Sequence, residues 1–290
     1  MTWIRRWWDD PWRKPRVLAT ITAFYLLWSL LPIVIAILFS FNSGRSRSVW
    51  QGFSTRWYFG SDQSVLGNDT LHSAIVQTLW LGLLTTLITV PLGAALGIGL
   101  DRWRGRIPSG VNGITLISFV VPETLLAVAI LFVVTNLALP VSLGTSAQVI
   151  GLVTFQLSYP AVLVRSRLAT IGTQYEEAAM DLGASPLQAQ LRVILPMLAP
   201  AIVASAVLVF ADVIDDFVLV RYLSGSADTE PISVLIYNSA RSSPTPALNA
   251  LATILLAAAM IAIALGFAVF RWLGRRSGNG ADLSVFAGEA

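Results

Sequence analysis

The chain has 290 residues, of which 55% are apolar and only 12% charged, about half the ~25% charge of soluble domains, which disfavours a water-soluble single domain. It holds no cysteine, one histidine (His72) and one lysine (Lys14). Disulfides, thiolate metal sites, cysteine nucleophiles and multi-histidine metal centres are therefore excluded, and Lys14, in the string RKPR, leaves no phosphate-binding loop ending in GK[ST].

Residues 1–16 interleave Trp3, Trp7, Trp8 and Trp12 with Arg5, Arg6 and Arg13. That mixture suits a segment lying in the lipid headgroup layer. A bilayer core takes about 20 apolar helical residues, and six stretches meet that need: 17–39, 72–100, 111–139, 147–164, 197–220 and 247–270. The first exceeds the roughly 7 to 15 residues of a signal-peptide core and has no small-residue cleavage site after it, so it is expected to remain. The second carries Gly93 and Gly97, a GxxxG step that permits close helix approach. Pro32, Pro91, Pro122, Pro160 and Pro200 fall within or at the edge of five stretches, and each frees a carbonyl that needs another partner. With the amino terminus inside, fourteen basic residues face the cytoplasm and five (Arg45, Arg47, Arg56, Arg221 and Arg241) face outward. The positive-inside rule then places both termini in the cytoplasm, and the basic excess meets anionic lipid rather than nucleic acid. The expected architecture is an all-α integral membrane protein: a cytoplasmic segment 1–16, a six-helix domain 17–270 and a cytoplasmic tail 271–290.

One loop stands apart. Residues 171–196 read IGTQYEEAAMDLGASPLQAQLRVILP. Thr173 with Glu176 spells a capping box, Gly183 is placed to end the helix in a left-handed conformation, and Ser185 with Gln188 spells a second box with Pro186 at the first helical position. The expected structure is a helical hairpin over 173–196. Its Ala178, Ala179, Met180, Leu182, Leu187 and Leu191 present more apolar surface than such a hairpin leaves to water, so a protein partner is expected to cover it.

Four acids fall inside the membrane. Asp212, Asp215 and Asp216 stand at i, i+3 and i+4 on the fifth stretch, spacing that shares one helix face. Glu123 lies near the middle of the third. Each would cost roughly 2.5 to 3.5 kcal/mol against lipid at the helix centre, so they are expected to face protein or water. Few bases are in reach, and an acid-rich, wet face favours a cation; pairing with Arg221, a second subunit or a closed gate is the competing reading. Trp57 and Tyr58 offer aromatic faces to a cation near one mouth of the path, or anchor the chain at the interface. No nucleophile with a base and no metal set is present, so a catalytic site is not expected.

The string Glu177, Ala178, Ala179, three residues, Gly183, nine residues, Val193, one residue, Leu195, Pro196 resembles the EAA signature of permease subunits of binding-protein-dependent ABC importers. Val193 stands where the family usually has isoleucine. The segments SFNSGRSRSVWQGFSTRWY (40–58), IDDFVLVRYLSG (214–225) and PALNALATILL (246–256) resemble the second permease subunit of spermidine/putrescine importers. The likeness runs from about residue 33 to the sixth stretch. It implies a type I ABC importer permease fold in a bacterial inner membrane. It also implies a coupling role toward a separate ATPase for Glu177, Ala178, Ala179, Gly183, Leu195 and Pro196; of the substrate or gate candidates read from the residues themselves, Glu123, Asp212, Asp215, Asp216 and Trp57, it adds support to Glu123, which resembles an acid at the same place in polyamine permeases. The partners implied are a second homologous permease, a pair of ATP-binding subunits carrying ATP and magnesium, and an extracytoplasmic binding protein, with no cofactor on this chain. Import of another small solute such as a phosphonate, and ion-coupled secondary transport, are the alternatives.

Overall fold

The computed structural model describes residues 16–46, 49–60, 62–103, 105–137, 140–242 and 245–276; the aromatic and basic residues read at 3–13 lie outside them, as does most of the 271–290 tail. The chain is helical, with one isolated antiparallel bridge, Asn42 to Phe53, among the described residues. In chain order the helices are α1 (Arg16–Ser40), α2 (Asp69–Arg102), α3 (Arg106–Ile117), α4 (Glu123–Asn136), α5 (Thr145–Gln156), α6 (Ser158–Ile171), α7 (Gln174–Asp181) and α8 (Pro186–Ala189). A π-helical turn, Gln190–Ile194, leads into α9 (Leu195–Asp215), followed by α10 (Val218–Leu223), α11 (Ile232–Ser242) and α12 (Ala247–Arg276).

Among the described residues, five helical units are long and apolar enough to cross a membrane: Val17–Ser40, Asp69–Arg102, Thr145–Ile171, Pro186–Asp215 and Ala247–Trp272; the apolar helix Glu123–Asn136 is shorter. The six expected stretches are therefore present, but the third and fifth depart from continuous helices. The third breaks into α3 and α4 over Ser118 to Pro122, because proline cannot donate to the preceding turn and here takes an extended ψ of 129° as the N-cap of α4. The fifth ends at Asp215, and Asp216 turns the chain with ψ 133° before α10 begins. At Pro160 the missing N–H frees the Gln156 carbonyl, which is where α5 gives way to α6.

Three apolar clusters hold the bundle. Near the start of α2, Trp57, Val65, Ala74, Ile232, Leu248 and Leu251 pack together. In the middle, Leu81, Val90, Ala127, Leu152, Val209 and Leu219 join α2, α4, α5, α9 and α10. At the hairpin end, Ala94 of α2 meets Val164, Leu168, Ile194 and Leu198. The GxxxG step works as expected: a Cβ on Gly97 would lie 2.6 Å from the Ala161 carbonyl, and one on Gly93 would strike Pro160, so α2 and α6 touch backbone to backbone. Helix α1 packs on α12 and leaves most of its apolar surface bare.

Candidate functional site

Two regions carry unusual chemistry, one at each end of α9. At the first end, α7 and α8 form the expected hairpin. Gly183, at φ +90°, closes α7 with a paired set of bonds: its N–H donates to the Met180 carbonyl at 2.9 Å and the Ala184 N–H to the Ala179 carbonyl at 3.0 Å. This six-to-one and five-to-two pattern is the glycine-dependent helix stop. The second capping box forms in full, with the Gln188 N–H donating to Ser185 Oγ at 3.3 Å and the Ser185 N–H to Gln188 Oε1 at 2.9 Å.

The first box does not form. Thr173 is helical in backbone and its hydroxyl caps nothing, because the Glu176 carboxylate is engaged elsewhere. Its Oε2 lies 2.8 Å from Arg102 Nε, and Gln190 Nε2 donates to its Oε1. Glu177, one residue on, is exposed with Ala178. The expected apolar surface is bare: Leu182 is 90% exposed, and Met180, Leu187 and Leu191 are also open. Leu195 and Pro196, both exposed, open α9 directly after the π turn.

At the other end, the four acids come together across three elements. Glu123 opens α4, Asp212 and Asp215 stand one turn apart on the last turns of α9, and Asp216 lies in the break after it. The shared-face expectation thus holds for Asp212 and Asp215 and fails for Asp216, which has left the helix. The break serves the cluster: the Asp216 carboxyl comes up against that of Glu123, Asp216 Oδ1 accepts from the Val220 N–H at 3.2 Å, and Glu123 Oε1 accepts from the Leu219 N–H at 3.3 Å. Both acids thereby cap the first turn of α10, whose positive dipole end welcomes negative charge. Asp212 accepts from Gln156 Nε2, and Tyr159 stands in the field of Asp212 and Glu123. Asp212 and Asp215 are exposed.

No base answers these acids among the described residues. Arg221 pairs with Glu230 at 3.8 Å instead, and Arg165 donates to Asn112. Nor do three acids converge closely enough to hold a metal ion there. Trp57 stands apart from the cluster. It is 0% exposed, its Nε1 donates to the Asn42 carbonyl at 2.6 Å, and the Arg56 guanidinium lies 4.9 Å over its ring. Its ring is buried and already carries the Arg56 guanidinium over one face. Gln156 and Tyr159, the neighbours of Asp212, escaped the reading of the sequence. Their signal was a glutamine one turn before Pro160 and a tyrosine directly before it, inside a charge-free stretch.

Comparisons with known proteins follow the same lines. A family model for binding-protein-dependent transport system inner membrane components matches residues 89–279. The putrescine transport system permease protein PotI of Escherichia coli strain K12 is 33% identical over 254 residues, covering 86% of this chain and 87% of that protein. The spermidine/putrescine transport system permease protein PotC of Shigella flexneri is 32% identical over 263 residues, covering 91% and 96%. Among solved structures, a chain of a bacterial ABC transporter that imports the acidic polysaccharide alginate superposes with a TM-score of 0.74 at 15% identity, covering 92% of this chain and 98% of that one. A chain of the MetNI methionine ABC transporter gives 0.57 at 18% identity, covering 70% and 93%.

Proposed function

The chain belongs to the family of binding-protein-dependent transport system inner membrane components, and from that premise we propose that it is the membrane-spanning subunit of an ATP-driven importer of polyamines. The observation that carries the substrate class is the set of four carboxyl groups gathered at one end of α4 and α9 with no base beside them among the described residues. An aliphatic polyamine carries ammonium groups separated by short methylene chains, and such a ligand could meet Asp212 and Asp215 on α9 with one ammonium group and the Glu123–Asp216 pair beyond its end with another. The names of PotI and PotC support the same class.

Both termini lie in the cytoplasm, so the hairpin faces the cytoplasm and the acids lie toward the opposite leaflet. A second, homologous permease completes the path and covers the exposed flank of Asp212 and Asp215. Two ATP-binding subunits, holding ATP and magnesium, dock on the hairpin and bury Leu182, Leu187 and Leu191. A binding protein delivers the solute on the far side. Closure of the ATPases pushes the hairpin; the rigid turn at Gly183 and the box at Ser185 hand that push to α9, whose other end holds the acids. The experiment is uptake of labelled putrescine by cells carrying the complete transporter: Asp215→Asn with Asp216→Asn should reduce it at least tenfold while the ATPase still co-purifies, and undiminished uptake would remove the substrate reading.

A further inference from the structure

Covalent continuity through the π turn and α9 is one route from the hairpin to the acids. The structure contains a second, non-covalent one. Arg102, the last residue of α2, reaches across to the hairpin and to Gly172, which caps α6 just before it. Its Nε lies 2.8 Å from Glu176 Oε2, off the N–H direction, so the contact is ionic, and its Nη2 donates to the Gly172 carbonyl at 3.2 Å. Asp101 fixes the guanidinium from behind, its Oδ2 accepting from Nη1 at 2.8 Å. Glu176 is held in turn by Gln190 from the π turn and is 8% exposed. One guanidinium thus ties the end of α2, the start of the hairpin and, through Glu176, the π turn after it.

What lies further along α2 gives this knot its meaning. Ala94 packs in the cluster with Leu168 and Ile194, Gly97 and Gly93 touch α6, and Gly82 lies against Ile214 and Phe210 of α9, beside Asp215. A displacement of the hairpin that carries α2 with it therefore arrives at the acid end from α2 as well as along α9. We propose that Arg102 is a positioning residue that locks the hairpin to α2, so that hairpin and α2 move as one body when the ATPases close. This rests on the coupling role proposed above for the hairpin. The lock depends on a buried carboxylate with a charged partner, an arrangement in which removing one member leaves the other desolvated and unpaired.

The test uses the complete transporter with putrescine as the probe. Arg102→Gln should leave ATPase co-purification and basal hydrolysis within about twofold, yet lower putrescine uptake per ATP hydrolysed about tenfold. Arg102→Lys, which keeps the charge but not the fork, should fall between. Hydrogen exchange should rise in the amides of 173–190 in the glutamine variant and stay unchanged in α12. The exchanged pair, Arg102→Glu with Glu176→Arg, should recover uptake above either single change. Normal uptake per ATP in Arg102→Gln would overturn the proposal, as would an exchanged pair no better than the singles; if Arg102→Gln does not assemble, the exchanged pair decides alone. A cross-link from Leu182→Cys to the ATPase in otherwise unaltered protein keeps the two readings apart. Its absence removes the coupling role itself, whereas its presence with a silent Arg102 removes only the lock.

Discussion

The two ends of α9 are opposite in kind. At the hairpin end, Leu182, Leu187 and Leu191 stand open around the short turns that lead into α9; at the other, carboxylates stand open on its last turns. Each is costly chemistry for its surroundings in an isolated chain, since exposed apolar patches favour association and intramembrane charge favours protein or water over lipid. On the function proposed above, the two ends meet different surroundings: an apolar groove on a partner at one, an acid-lined path for a cation at the other. Between them run α9 and, bound to the hairpin at Arg102 and packed by its glycines, α2, the two routes proposed for the coupling.

Disabling one end alone should spare the other. The largest effect is expected from Asp215→Asn with Asp216→Asn, with at least a tenfold loss of putrescine uptake and the ATPase retained. Loss of the ATPase in the same variant would mean that the two ends are not separable. Next is Gly183→Val. Nothing lies within 4 Å of the added Cβ, so the cost is the left-handed backbone at φ +90° alone, about 1 to 2 kcal/mol for an L-residue. Co-purification with the ATPase should fall roughly 5- to 30-fold, since each 1.4 kcal/mol is tenfold, while the chain still inserts; unchanged co-purification would deny the hairpin its role. A tag after Ser277 sharpens the geometry: it should be reached by a label only from the cytoplasmic side, and labelling from outside would exchange the two ends. The smallest effect on transport is expected from Trp57→Phe. It leaves the buried Asn42 carbonyl without its donor, costing about 1 to 3 kcal/mol of stability, seen as a lower melting temperature, while uptake per assembled complex stays within twofold. A specific loss of putrescine uptake would return Trp57 to the path.

Much of this was legible in the sequence, because membrane insertion writes its demands in long apolar runs and in small residues where helices touch. The six stretches, the Gly93–Gly97 contact, the left-handed Gly183 and the Ser185 box all follow from local rules. What was not legible came from competition between distant residues. Thr173 lost its box because Arg102, some seventy positions earlier, claims Glu176. Asp216 left the helix face of Asp212 because Glu123 and the first turn of α10 offer its carboxyl better partners than another helical turn would. The amide cluster that pins α2 to α5 was equally hidden: Gln77 Nε2 donates to Gln148 Oε1 at 2.9 Å, and Gln148 Nε2 to the Thr229 carbonyl at 2.9 Å. Such pairings are set by the packed bundle, and no spacing along the chain announces them.

The most direct measurement is putrescine accumulation in proteoliposomes holding the purified assembly, with ATP supplied on the hairpin side and loaded binding protein on the other. Accumulation should require ATP and should disappear when the ATPase subunits are left out. Accumulation by this chain without them, or hydrolysis that putrescine-loaded binding protein never stimulates, would contradict the account.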